Sequence, residues 1–169
     1  MSALLHRLYG YHAWANAELF GKLETIDQVA HVGELRTMLR LINHHHVVAR
    51  IFAAHLSGAQ HPYTADNTEE TPSLAALRAA VTACDRWYLD YLQGLTAEQL
   101  AEAVAFVFTD GDKGCMTREE MLMHVALHAG GHRGEVCRIL WQLSVTPPWD
   151  TFAVYLHQAQ PERRLRAAS

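Results

Sequence analysis

Apolar residues recur every three to four positions in four separate stretches of this chain, and no other feature restricts the fold as much. Residues 3–25 carry Leu4, Leu5, Leu8, Tyr11, Trp14, Ala15, Leu19 and Leu23 on one stripe. Residues 34–57 repeat the rhythm with Leu35, Met38, Leu41, Val48, Ile51, Phe52 and Leu56, and Gly58 supplies a stop. A third helix is expected over 73–94, with Ser73 as its N-cap. A fourth is expected over 117–144, opened by the capping box Thr117-x-x-Glu120 and closed by "TPPW". An isolated helix with one apolar stripe has to bury it against others, so four of them predict an all-α, four-helix bundle.

The intervening segments refine this reading. "SGAQHPYTADNTEETP" is a crossover loop of roughly 15 residues, a length that in compact domains often accompanies a site or an interface. "AVAFVFTDGDKGCMT" breaks the helical rhythm. Its β-formers flank turn residues, which predicts a small hairpin or extended loop before the fourth helix. A short C-terminal helix is expected over 149–159. Residues 1–169 read as a single domain, with 161–169 a flexible tail.

Composition narrows the function classes. A net charge of −4 argues against a polyanionic partner, so neither nucleic acid nor an acidic membrane surface is expected. No apolar run approaches the ~18 residues of a membrane span, and the N-terminus lacks a signal-peptide pattern. Cys84, Cys115 and Cys137 are odd in number and widely spaced, which disfavours a disulfide framework or a cysteine zinc site and points to a reducing cytoplasm. The expected state of these cysteines is free and buried. Trp14, Phe52, Trp87 and Trp141 read as core or interface aromatics.

The compositional outlier is histidine, with twelve in the chain. His124, His128 and His132 recur every fourth residue. With His128 at 0° on a helical wheel, His124 falls near −40° and His132 near +40°, on the side that also carries Met121, Val125 and Ile139. Imidazoles left unpaired there would each cost roughly 1–3 kcal/mol. Histidines at i and i+4 project side by side and can reach one ion, which is the geometry of an H-x-x-x-H metal element. A further ligand must come from another helix, and "NHHHVVARIFAAHLSG" is the source. There His44 and His45 lie on opposite sides of the apolar stripe's centre and His46 points away. His55 shares the His44 face but lies about 16 Å further along. Periodicity does not choose between His44 and His45; one of them should face the core at mid-helix.

Four motifs carry a resemblance over most of the chain. "YGYHAWANAEL", "LINHHHVVARIFAAHLSG", "HVALHAGGHRGEV" and "TPPWDTFAVYL" resemble, in order, the Y-x-x-W-A-N-x-x-L, L-x-N-H, H-x-x-x-H-x-x-x-H-R-G-Q and P-P-x-x-D-x-x-x-Y-L elements of the DinB/YfiT-like family of metal-dependent proteins. The resemblance implies a four-helix bundle holding zinc or nickel on three histidines, here His44, His128 and His132, with His124 outside the ligand set. It also implies a homodimer. The activity it implies is thiol transfer, with bacillithiol, glutathione or mycothiol as the low-molecular-weight thiol and a small-molecule substrate. Two departures stand out. Glu135 replaces the family glutamine, and Gly130 and Gly131 replace larger residues at about 1 kcal/mol each in helix propensity. The glycines imply a close helix contact or room for a ligand.

Three neutral imidazoles leave a divalent ion its full charge and an open position, the pattern of a catalytic rather than a structural site. A thiol at that position would lose its proton and become a nucleophile, whereas water would become hydroxide and the protein a hydrolase. Glu135 is the candidate catalytic residue, either orienting a ligating imidazole or acting as a base; a simple ion pair with Arg133 or Arg138 is the bland alternative. The remaining alternative is a non-catalytic metal-binding or stress-response helical protein.

Overall fold

The structure, a computed structural model, describes residues 3–164. Helices α1 (Ala3–Leu23), α2 (Val32–Ser57), α3 (Leu74–Gln93) and α5 (Arg118–Gln142) form the expected all-α bundle. A one-turn helix α4 (Ala97–Ala101) and an antiparallel hairpin, β1 (Ala103–Val107) with β2 (Lys113–Thr117), precede α5. Helix α6 (Phe152–Ala159) and a 3-10 turn (Pro161–Arg163) follow it. α2 packs chiefly on α5, and α1 on α3. None of the described helices is long and apolar enough to cross a membrane.

The helix ends follow from local chemistry. The Ser73 hydroxyl accepts from the Ala76 N–H, and Thr117 and Glu120 form the reciprocal capping box at the start of α5. Gly58 closes α2 with φ of 68°, a left-handed conformation that only glycine adopts without penalty. Three expectations change. α5 ends at Gln142 rather than 144, with Ser144 at positive φ ahead of the prolines. α4 was not anticipated, although its capping box, Thr96 with Gln99, stands in the sequence. Pro161–Arg163, within the expected tail, forms a 3-10 turn; residues 165–169 of that tail lie outside the described residues.

The core divides into two apolar clusters along the bundle axis. One, near the hairpin, contains Leu5, Tyr9, Phe52, Leu56, Tyr88, Phe106, Met121 and Val125. The other, at the far end, contains Leu19, Phe20, Met38, Ile42, Leu77, Val81, Val136 and Leu140. Between them each long helix contributes buried polar groups: His12 and Asn16 from α1, His45 from α2, Asp85 from α3 and Arg133 from α5. This polar layer sets the height at which the functional residues sit.

Candidate metal centre

His44 comes from the middle of α2, and His128 and His132 from successive turns of α5, the two helices that pack most closely. One ring nitrogen from each lies within 4.8 Å of the others. His128 Nε2 is 3.2 Å from His44 Nε2 and 3.1 Å from His132 Nε2.

The outward nitrogens fix the tautomers. His44 Nδ1 lies 2.8 Å from the Asp66 carbonyl oxygen, which only accepts, so Nδ1 donates and a neutral ring carries its lone pair on Nε2. His132 Nδ1 lies 2.6 Å from Glu135 Oε2, with the same consequence. Two bare Nε2 atoms therefore face His128 Nε2, which has at most one proton to give. One of the two contacts sets lone pair against lone pair. A cation satisfies all three, and the 3.1–3.2 Å separations suit ligands about 2.0–2.1 Å from a tetrahedral ion, which stand about 3.3 Å apart. Burial, then the imidazoles of His132, His44 and His124, pushes His128 down to about 4, so it is neutral and able to ligate at physiological pH.

The crossover loop is part of this centre. Asn43 donates to Asn67 and Thr68, Asn67 donates back to the Arg40 carbonyl, and Arg40 donates to the Thr68 carbonyl. These bonds clamp residues 66–68 onto α2 and bring the Asp66 carbonyl to His44.

Several expected placements change. The three α5 histidines lie at the rim of the buried face, half-buried, because that face centres nearer about 100° on the wheel, on Leu122, Val125, Ala129, Val136 and Leu140. The choice between His44 and His45 turns out to be no choice. His44 joins the cluster, while His45, 3% exposed, faces the core. His46 does not point away; α3 packs over that side of α2, and burial pushes it down to about 4. His55 rests on His61 and Phe106, away from the cluster. His124 stacks on His128 at 5.5 Å between ring centroids and lies tilted against Phe52 at 4.8 Å. Glu135 pairs with His132 rather than with Arg133, which is committed to Asp150.

The polar layer behind the cluster escaped sequence reasoning. Arg133, next to His132, is 1% exposed. Its Nε donates to Asp150 Oδ2 at 2.7 Å, and its Nη1 reaches Asn16 Oδ1 at 3.2 Å and His12 Nδ1 at 3.3 Å. Asn16 Nδ2 donates to both oxygens of Asp85, and His12 Nε2 is 3.2 Å from Asp85. Tyr11 donates to the same Asp150. Burial, then the nearby His12 and Arg133, holds His45 well below the usual imidazole range, and its Nε2 has no hydrogen-bond partner. The available signal was the one-face spacing of His12 and Asn16, four residues apart, within the opening motif. The charge on Arg133 hid its position.

The DinB family model matches residues 1–164. The chain belongs to the DinB family. No curated protein and no solved structure matches it. The polar layer now connects the motifs through which the chain resembles the DinB family: His12 and Asn16 from the first, His45 from the second, Arg133 from the third and Asp150 from the last. They form one layer against which both metal-facing helices rest.

The cysteines are poorly placed as nucleophiles. Burial, then Asp85, pushes Cys84 up to about 12, and burial, then Asp150, raises Cys137. Cys115 is exposed on the hairpin and Cys137 is half-buried, against the expectation that all three are buried. Of the four aromatics expected in core or interface, Phe52 is buried, Trp14 and Trp87 are partly buried, and Trp141 is 63% exposed.

Proposed function

We propose that this protein is a metal-dependent enzyme in which His44, His128 and His132 hold one divalent ion, zinc or nickel, and that it transfers a low-molecular-weight thiol to an electrophilic small molecule. The observation that carries the metal reading is the convergence of three Nε2 atoms, two of them deprotonated by what their Nδ1 atoms donate to. A divalent ion on three imidazoles keeps an open position and supplies Lewis acidity that favours the thiolate form of a thiol.

The chain's own residues supply positioning. The Asp66 carbonyl and the Glu135 carboxylate fix the rings of His44 and His132, the relation that outer partners hold to ligating imidazoles in metal sites. Glu135 is thus a positioning residue acting through His132. The flat stack of His124 on His128, backed by Phe52, lays an apolar wall beside the cluster. Cys84 and Cys137 are held as thiols, which supports a nucleophile brought from solution. The thiol itself, of bacillithiol, glutathione or mycothiol type, follows from the family resemblance.

Elemental analysis tests the metal. The wild type is expected to carry about one zinc or nickel per chain, and His128→Ala at least tenfold less. Equal, substoichiometric metal in both overturns the proposal. A panel of thiols with a chloro-dinitrobenzene tests the reaction: conjugation that a chelator abolishes supports it. Metal-dependent ester hydrolysis without conjugation would make the protein a hydrolase instead.

A further inference from the structure

The crossover loop holds His44 through residues 66–68, but its earlier part, residues 59–63, borders a different place. There the loop, the last turns of α2 and α3 surround a recess of about 220 Å³. Arg50 and Ala54 come from α2, Gln60, His61 and Tyr63 from the loop, and Trp87 from α3. None of the three histidines of the metal centre lines it. Arg50 stands about a third of a turn round α2 from His44 and about 9 Å further along the axis, so the two places are separate.

The polar side chains of this recess are all able to donate, and none is acidic. No ion pair or hydrogen bond engages the Arg50 guanidinium among the described residues. The Gln60 amide, the Tyr63 hydroxyl and the Trp87 indole N–H have no partner in the chain either. His61 Nδ1 is buried without a hydrogen-bond partner, an orphan that a bound acceptor would satisfy. One positive charge and several free donors, with no carboxylate among them, suit an anion. The walls narrow its kind. Trp87 is braced by Tyr91, with ring planes 13° apart and centroids at 5.0 Å, and Tyr63 stacks on His61. A bare inorganic anion gains nothing from aromatic walls, whereas a flat ring does. The planar guanidinium matches a carboxylate through two parallel hydrogen bonds. The volume lies below the about 300–1,000 Å³ of sites for drug-sized ligands, which restricts the occupant to a single-ring compound.

We propose that this recess binds a small aromatic carboxylate, with Arg50 taking the carboxylate and Trp87 and Tyr63 the ring. The inference does not rest on the metal reading. Benzoate is the probe, titrated into the zinc-loaded full chain and followed by NMR at the Trp87 indole N–H, which is assigned by its loss in Trp87→Phe. The resonance is expected to shift, with half-saturation below about 1 mM. Benzamide has the shape without the charge and inorganic phosphate the charge without the ring, so each should bind at least tenfold more weakly. Arg50→Gln should also weaken benzoate at least tenfold, and Arg50→Lys, which keeps the charge but not the paired donors, should recover only part of the loss. Arg50 is exposed, so both variants stay folded, as far-UV circular dichroism will show. Carboxylates also ligate divalent metals, and His128→Ala separates the two: it removes the metal and should leave the Trp87 response unchanged. No shift at about 10 mM benzoate overturns the proposal. So does a response that Arg50→Gln leaves intact, that His128→Ala abolishes, or that benzamide or phosphate reproduces at equal affinity.

Discussion

Glu135 and Asp66 do their work through single bonds to the outer nitrogens of His132 and His44. Glu135→Gln keeps the size and a hydrogen-bonding oxygen but removes the charge that makes the imidazole a better donor. We expect metal affinity to fall about 10–100-fold with unfolding midpoint little changed, measured by competition with a chromophoric chelator. Arg133 presents the opposite case, a buried charge whose main counter-ion is Asp150. Asp150→Ala leaves that charge uncompensated and should destabilise the fold by about 3 kcal/mol in urea titration. Arg133 was not legible in the sequence for a plain reason: residue type argues for exposure, and only three partners from two other segments reverse that.

The elements show which parts of the sequence acted locally. The capping box on α5 and the caps of α3 and α2 are read from a few adjacent residues and formed where expected. Thr117→Ala is expected to cost about 1 kcal/mol, read from the thermal midpoint. The hairpin is also local, yet its packing depends on Gly114. A Cβ there would stand 2.6 Å from Phe106 Cζ and 2.9 Å from Phe108 Cε2. Gly114→Ala should therefore displace both rings and destabilise by about 1–3 kcal/mol, with loss of dispersion for residues 103–117 in amide NMR spectra. The metal cluster is not local. The four-residue spacing of His128 and His132 was visible in α5, whereas periodicity left His44 and His45 open and only the family resemblance pointed to His44; the physical reason, which sides of α2 are covered by α5 and by α3, is tertiary.

At the scale of the whole molecule, histidines packed neutral on the covered sides of α2 make stability depend on pH. His46 is held down to about 4 and His45 well below the usual range, both first by burial. Below about 6.5 the unfolded chain takes up protons on these rings and the folded chain does not. The difference in bound protons is positive for the unfolded state, so stability rises with pH in this window. It is complete above about 6.5 and lost as pH falls towards 4. With chelator present to remove any metal contribution, the free energy of unfolding is expected to drop by about 1.4 kcal/mol per pH unit for each such imidazole between pH 6 and 4.5. Equal stability at the two ends would contradict neutral burial of these histidines.

Helical periodicity, cap chemistry and the i, i+4 histidine pair are properties of a few neighbouring residues, so the sequence alone settled the bundle, most helix ends and half of the cluster. Why one histidine of α2 meets that pair, why another turns inward, and how a charged Arg133 comes to be the largest of the fully buried side chains depend on helices distant in the chain. Those outcomes belong to the tertiary structure, because the burial and electrostatic neighbourhood of a side chain are set by what packs over it, and periodicity along one helix does not contain that information.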